Sequence, residues 1–192
     1  QQSQASPLPR DVLEKLLLQC GDDTRGLRNK VLLLLGYETM RRRSELCQFR
    51  FEDLIESPKR GPSIRLVRSK TDQEGASRLI PISKESFSVI QSWQNIADIS
   101  GAILRSVDRH GKIGNHLNPG SIGLIINSLY SSCDCHDSAQ LFSGHSFRVG
   151  AALDLLEAGA SLELIMLRGG WRSSDNAMGY LRNWCQPAVS LN

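Results

Sequence analysis

The stretch GGWRSSDNAMGYLR, residues 169–182, contains a tryptophan and, nine residues later, a tyrosine. Arginines lie beside both aromatic residues, because Arg168 and Arg172 flank Trp171 and Arg182 follows Tyr180. A tyrosine hydroxyl is a weak nucleophile at neutral pH, but arginines that clamp a phosphate would favour its attack on that phosphate. Taken alone, the stretch is more simply explained by a buried core tryptophan and a half-buried tyrosine.

The segment GHSFR places His145 and Arg148 three residues apart at a predicted helix start. Residues at that spacing lie on one face of a helix, and the helix N-terminus adds unpaired N–H groups and a positive dipole end. The pair therefore indicates an oxyanion or phosphate site. A capping histidine beside a surface arginine is the commoner explanation of such a pair when it stands alone.

The segment RRSEL places Arg42 and Glu45 on one helical face. A carboxylate that holds an arginine can fix the orientation of the guanidinium and leave its other donors for a ligand. The alternative is a simple intrahelical ion pair, worth roughly a few tenths of a kcal/mol. Arg41 and Arg43 carry the same group, and spacing alone does not exclude Arg41 from the role.

Lys70 lies in RSKTDQEGASR, a polar turn predicted between two short strands. An ammonium group on such a turn can reach away from the body of the protein toward a ligand. An exposed, inert lysine is the usual alternative.

Most of the segments that must position these residues show the apolar periodicity of helices. Strands and helices do not alternate along the chain as they would in a parallel sheet. The strands SIRLVR and SRLIPI form a small hairpin around the turn of Lys70, and residues 108–120 are predicted as loop. We therefore predict a mainly α fold with a small antiparallel β-sheet (α+β). The predicted helices are PLPRDVLEKLLLQC, a helix from Asp23 or Thr24 through LRNKVLLLLGYE, one or two short helices in SELCQFRFEDL, SKESFSVIQSWQNIADI with a Ser83 cap, SIGLIINSLYSSC, HSFRVGAALDLLEAG, SLELIMLRGG, and a last helix over about 174–183.

Composition excludes a membrane-spanning protein and is typical of one globular domain. The chain has 192 residues, of which 40% are hydrophobic and 22% charged. Its longest apolar run, VLLLLG, is far shorter than the roughly 20 residues that span a bilayer. The net charge of +3 does not by itself require a nucleic-acid partner, although local arginine clusters suit the gripping of a phosphate backbone.

The five cysteines predict free thiols in a reducing compartment, because their number is odd and no secretory signal precedes them. CDCH, residues 133–136, brings two thiols and an imidazole together. It lacks a second ligand pair at zinc-finger spacing, so a loop is favoured over a metal site.

The candidate residues are far more specific as an ordered set than singly. With this set the chain resembles the tyrosine recombinase (phage integrase) family, in the segments RRSELCQFRFEDL, RSKTDQEGAS, SGHSFRVGAALDLLEAG and IMLRGGWRSSDNAMGYLRN. The resemblance runs from about residue 10 to residue 184. Trp171 stands where most bacterial members carry histidine, and one branch of the family carries tryptophan there. The set, in chain order, is Arg42, Glu45, Lys70, His145, Arg148, Trp171 and Tyr180.

The resemblance implies the DNA breaking-rejoining fold and a chemistry without metal, ATP or other cofactor. Tyr180 would attack the scissile phosphate, form a 3′-phosphotyrosine link and release a 5′-hydroxyl, which later reseals the strand. The implied roles of the other residues are a phosphate clamp for Arg42 and Arg148, a phosphate contact and proton acceptor for His145, the general acid for Lys70, a hydrogen bond and packing for Trp171, and orientation of Arg42 or His145 for Glu45. Four further arginines are expected to contact DNA: Arg41, Arg43, Arg68 and Arg172.

The resemblance also implies an organisation. Residues 1–9 would be the remnant of an interdomain linker and residues 10–192 the catalytic domain, with the family's N-terminal DNA-clamping domain outside this chain. The expected partner is double-stranded DNA. We expect a homotetramer on DNA for the full-length protein and a monomer for the isolated domain. The expected location is the cytoplasm of a bacterial or phage-infected cell, at the nucleoid.

Two other functions remain compatible with the same residue set. A type IB topoisomerase uses the same chemistry to relax DNA without exchanging strands. A catalytically silent module of the same fold would bind DNA only.

Overall fold

The computed structural model describes residues 5–67, 78–134 and 136–182. Within these ranges the chain forms helices, three strands and a short 3₁₀ helix, Phe51–Asp53. Among the described helices, none combines the length and apolar character that crossing a membrane requires. The elements are α1 (Arg10–Gln19), α2 (Thr24–Thr39), α3 (Arg43–Gln48), β1 (Leu54–Ser57), β2 (Gly61–Leu66), β3 (Arg78–Pro81), α4 (Lys84–Ala97), α5 (Ser121–Ser131), α6 (Ser146–Glu157), α7 (Leu162–Gly169) and α8 (Ser174–Leu181).

Side-chain caps begin several of the helices where the sequence predicts a start. Asp23 accepts the backbone N–H of Gly26 at 2.8 Å and begins α2. Ser83 does the same for α4 by accepting the N–H of Ser86 at 3.0 Å. Serines at 161 and 173 cap α7 and α8 in the same way. Each cap satisfies an N–H group that the helix itself leaves without a partner.

The three strands form one antiparallel sheet in the order β1-β2-β3. The predicted hairpin is confirmed as β2 and β3, which pair Ile64 with Ile80. The sheet also contains β1, a strand that the sequence does not predict, in a region where its pattern predicts short helices and a turn. β1 is only four residues long and has no extended alternating pattern, so its pairing of Leu54 with Ile64 decides its conformation.

Helix α2 runs through the centre of the fold. All five residues from 31 to 35 are buried, so α2 is apolar around its whole circumference rather than on one face. It packs against α1, α3, α4, α6 and β3. A second, smaller cluster forms at its C-terminal end, where Met40, Ile165, Trp171 and Leu181 pack together. This cluster joins α6, α7 and α8 to the end of α2 and so places the candidate residues of distant segments side by side.

The segment before α1, predicted as a linker, contributes to the core. Leu8 is fully buried, and its backbone N–H donates to the carbonyl of Ser146 at 2.9 Å. Gly150 of α6 permits this contact, because a Cβ atom there would lie 2.1 Å from the backbone of Leu8. Leu8 and Pro9 therefore lie directly against α6, the helix that follows His145.

We expect Gly150→Ala to lower the free energy of unfolding by about 1–3 kcal/mol, because the added methyl group meets backbone rather than a movable side chain. Urea unfolding followed by circular dichroism measures the change. Gly123→Ala is the matched control in α5, where the added Cβ atom would make only ordinary contacts at 3.5 Å. An equal loss in the two variants would contradict the packing of Leu8 against α6.

Candidate active site

Arg148 lies at the centre of the candidate site. The residue is buried in α6, and its Nε donates to the backbone carbonyl of Gly169 at 2.9 Å. Its guanidinium carbon lies 4.4 Å from the ring centroid of Trp171, within the range of a cation–π contact. Burial, together with the positive charges of Arg42 and Arg41, lowers the pKa of Arg148 to about 10. The group therefore stays protonated at neutral pH and is a fixed positive charge.

Trp171 packs against Arg148 and presents an unsatisfied donor. The residue is buried, and its indole Nε1 has no hydrogen-bond partner in the described ranges. Such buried donors are rare in folded proteins and indicate a ligand or water partner. The ring fits because Gly169 has no side chain: a Cβ atom there would lie 2.2 Å from ring atom Cζ3. Gly170 then turns the chain out of α7 with a φ of 69°, in the left-handed region that favours glycine.

Tyr180 lies on α8, next to two of the predicted residues. Its ring centroid is 6.2 Å from that of His145, with the planes 24° apart, and 6.1 Å from that of Trp171. The side chain is half-buried, and its hydroxyl has no hydrogen-bond partner among the described residues. Tyr180 is therefore held by packing, with its polar end unconstrained.

His145 immediately precedes α6 and lies at the rim of the site. Partial burial of the ring is the main cause that lowers the pKa of His145, and the charges of Arg148, Arg43 and Arg42 lower it further. The neutral imidazole is therefore favoured at neutral pH, and neutral imidazole is the form that accepts a proton.

Arg42 and Glu45 lie at the start of α3, but the carboxylate does not bind the guanidinium. Glu45 Oε1 accepts the backbone N–H of Arg42 at 3.1 Å and so caps the helix. The predicted fixing of the Arg42 guanidinium by Glu45 is thus replaced by a contact to its main chain. The Arg42 side chain is exposed, and it extends along the wall of a cleft.

The cleft has a volume of about 760 Å³ and is strongly basic. Glu45 is the carboxylate among its lining residues. Trp171 lines the cleft and also packs on Tyr180, whereas Tyr180 and His145 lie beside the cleft rather than in its wall. The arginines of its wall are Arg41, Arg42, Arg78, Arg148 and Arg172.

The structure thus brings together most, but not all, of the predicted residues. Arg42, Arg148 and Trp171 share the cleft, and His145 and Tyr180 adjoin it. Arg43 is exposed on α3 and is not part of the cleft wall. The predictions for Lys70 and Arg68 lie outside the described residues.

Sequence reasoning missed Arg78, which begins β3 at the base of the turn that carries Lys70. Its only sequence signal was a basic residue at the end of the predicted hairpin, and many exposed strand ends carry one.

The CDCH segment lies apart from the cleft lining, and Cys135 is outside the described residues. Cys133 is buried, and the His136 ring lies 5.4 Å from that of Tyr130. No three His, Cys, Asp or Glu residues of the described ranges form a group that could hold a metal ion.

Comparison with known proteins identifies the family. A family model described as the phage integrase family matches residues 7–185 of this chain. The chain belongs to the phage integrase family. The resemblance inferred from the ordered residue set is therefore confirmed.

Curated members of the phage integrase family are similar along most of this chain. Recombinase cre of Escherichia phage P1 is 27% identical over 182 residues, which cover 87% of this chain and 52% of that protein. An integrase/recombinase xerD homolog of Selenomonas ruminantium is 33% identical over 135 residues, which cover 66% of this chain and 39% of that protein. The motifs of this chain, including Trp171, predict a likeness to Cre within the family, and the match to recombinase cre agrees with that prediction. The chain spans about half the length of these relatives, or less.

Solved structures share the fold at low sequence identity. A XerA recombinase superposes with a TM-score of 0.69 at 16% identity, over 93% of this chain and 61% of the other. A lambda integrase dimer bound to a COC′ core site gives a TM-score of 0.69 at 16% identity, over 100% of this chain and 53% of the other. The predicted fold class, a mainly helical recombinase catalytic domain with a small antiparallel sheet, is confirmed.

We expect NMR titration to give His145 a pKa below the ordinary value of 6.5. Arg148→Met should raise the pKa of His145 part of the way back, because burial of the ring remains. Arg28→Met removes a buried arginine that binds the carbonyl of Arg105 and does not line the cleft, and it should leave this pKa unchanged.

The lowered pKa of His145 makes the free energy of unfolding depend on pH. Below pH 6.5 the unfolded histidine binds a proton before the folded one does, so the free energy of unfolding falls as the pH falls. His145→Gln should lose less stability than the wild type on acidification from pH 7.5 to about pH 5.5. A wild-type pKa of 6.5 or above would contradict the predicted environment of the ring.

Proposed function

We propose that this chain is the catalytic domain of a site-specific DNA recombinase or integrase that cleaves and rejoins strands through a 3′-phosphotyrosine link at Tyr180. One observation carries the proposal. Two buried donor groups, the guanidinium of Arg148 and the unpaired indole N–H of Trp171, lie together beside a tyrosine whose hydroxyl has no partner among the described residues. A phosphodiester supplies such an acceptor, because each of its non-bridging oxygens accepts several hydrogen bonds.

Double-stranded DNA fits the cleft by charge. Arginine binds phosphate with a planar fork of donors, and the cleft wall carries five arginines. The exposed members, Arg42 and Arg172, extend toward the surface, where a DNA backbone would pass. Exposed Arg43 and the undescribed Arg68 belong to the same proposed DNA contact. The lambda integrase structure that shares this fold is bound to a core site, which supports DNA as the partner.

The proposed cleavage is a transfer of one phosphate ester to another. Tyr180 Oη forms a bond to phosphorus as the bond from phosphorus to the 5′-oxygen breaks. The Tyr180 proton passes to His145, directly or through a water, and Lys70 gives a proton to the departing 5′-oxygen. Resealing is the reverse reaction with the same or another 5′-hydroxyl, so the bond energy is conserved without ATP.

Positive side chains stabilise the transition state in this mechanism, and the proposal includes no metal ion or cofactor. Charge builds on the non-bridging oxygens as phosphorus becomes pentacoordinate. Arg148 is already held by Gly169, so it meets that charge with little rearrangement. Arg42 reaches the same cleft from the start of α3, where Glu45 fixes its backbone.

We expect the wild-type protein, expressed from its native gene, to form a covalent adduct with nicked duplex DNA from the flanks of that gene. The nick lets the cleaved fragment diffuse away, so the adduct accumulates and is seen on a denaturing gel. It should form in EDTA and be absent with Tyr180→Phe. Tyr130→Phe is the matched control, because its hydroxyl accepts a hydrogen bond from the backbone of Asp137, away from the cleft.

The other outcomes separate the alternative functions. Binding to the DNA without any adduct would contradict the recombinase and favour a silent DNA-binding module. An adduct together with relaxation of supercoiled plasmid of arbitrary sequence would favour a type IB topoisomerase. The proposal includes a homotetramer on DNA for the full-length protein and a monomer for the isolated domain, and sedimentation of each with and without DNA tests both states.

A further inference from the structure

Arg41 is a buried cation without a carboxylate partner in the described part of the chain. Only 4% of the residue is exposed. The ion pairs between described residues, Arg10–Glu14 and Arg50–Glu52, both lie on the surface and do not involve it. Burial lowers the pKa of Arg41, and the nearby charge of Glu45 opposes that shift. An isolated buried charge is costly, so its retention needs an explanation.

Backbone carbonyls hold the Arg41 guanidinium in place. Its Nε donates to the carbonyl of Thr39 at 2.9 Å, and its Nη2 donates to the carbonyl of Arg168. The next carbonyl of α7, that of Gly169, accepts from Arg148. Two guanidiniums from distant parts of the chain are therefore anchored on successive carbonyls of one helix C-terminus.

The anchoring leaves donors of Arg41 available to a ligand. Nη1 has no hydrogen-bond partner among the described residues, and Arg41 lines the cleft together with Arg148 and Trp171. Gly170 is what lets the guanidinium lie so close to the chain, because a Cβ atom there would be 2.8 Å from Nη1. The guanidinium thus has the fixed position and free donors of a binding group.

The charge of a phosphodiester complements the buried cations of the cleft. A phosphodiester carries one negative charge, and its pentacoordinate transition state carries about two. Arg42 of the same clamp is exposed, whereas Arg41 and Arg148 are the buried cations of the cleft wall, and their two charges match the charge of the transition state. Both are buried before the substrate arrives, so neither has to be ordered or desolvated during the reaction.

We propose that Arg41 is a third arginine of the phosphate clamp and binds a non-bridging oxygen of the scissile phosphate beside Arg42 and Arg148. This inference rests on the proposed strand-cleavage function. A purely structural alternative exists, in which Arg41 only caps the C-terminal end of α7.

Replacing the scissile phosphate by a methylphosphonate separates the two roles, because this group is neutral and lowers the charge of the transition state by one. With ordinary DNA we expect Arg41→Met to slow adduct formation by about 10²–10³-fold, the usual loss for one such donor. With methylphosphonate DNA, the wild type and the variant should differ by less than about tenfold. Arg41→Lys keeps the charge but not the fork of donors, so on ordinary DNA its rate should lie between those of the wild type and Arg41→Met.

Arg28→Met is the matched control. Arg28 is also buried and also donates to a backbone carbonyl, that of Arg105, but it does not line the cleft. Any loss that it causes should be equal on the two substrates.

Equal losses on both substrates for Arg41→Met, or no loss, would overturn the role of Arg41 while leaving the proposed function intact. If Arg41→Met does not fold, the same comparison is made with Arg41→Gln, which removes the charge but keeps an N–H donor for the carbonyl of Arg168. Absence of an adduct with the wild type on ordinary DNA would instead contradict the proposed function itself.

Discussion

The C-terminal end of α7 is the point on which the candidate site depends. A helix leaves its last carbonyl groups without partners, and cations near them are favoured by the helix dipole. Here the carbonyls of Arg168 and Gly169 receive the guanidiniums of Arg41 and Arg148. Because the chain then turns sharply at Gly170, Trp171 folds back over Gly169 and onto Arg148. One helix end thus fixes two cations and one indole together.

This arrangement includes groups in energetically unfavourable surroundings, which a purely structural role would not require. Burial, and after it the neighbouring positive charges, lowers the pKa of both Arg148 and His145, and the Trp171 N–H is buried without a partner in the described ranges. Natural proteins retain such local conflicts chiefly at functional sites. The larger hydrophobic core around α2 is a separate cluster from the one that carries Trp171. That separation lets the site hold locally unfavourable groups while the main core stabilises the fold.

Contacts outside the cleft connect the site to the rest of the chain. The Tyr37 hydroxyl donates to Asp154 at 2.5 Å, and the Arg10 backbone N–H donates to the same carboxylate oxygen at 2.7 Å. These bonds join α1 and α2 to α6, the helix that carries Arg148. The tyrosine helix α8 is held more simply, through the Ser173 cap and the buried side chains of Ala177 and Leu181. The proposed nucleophile is therefore positioned by a short helix beside Trp171, which in turn packs on the anchored guanidinium of Arg148.

The sequence alone determined the features that depend on neighbours along the chain. Asp23 and Ser83 mark the starts of α2 and α4 because capping is a local interaction, and periodicity identified the helices between the breaks. The ordered residue set was sufficient to identify the family. Tertiary structure decided the rest. It turned Leu54–Ser57 into a strand through pairing, and it assigned Glu45 to the backbone of Arg42. It also buried Arg41 while exposing Arg42, a difference that adjacent identical residues cannot reveal, because burial depends on which distant helix end each side chain meets.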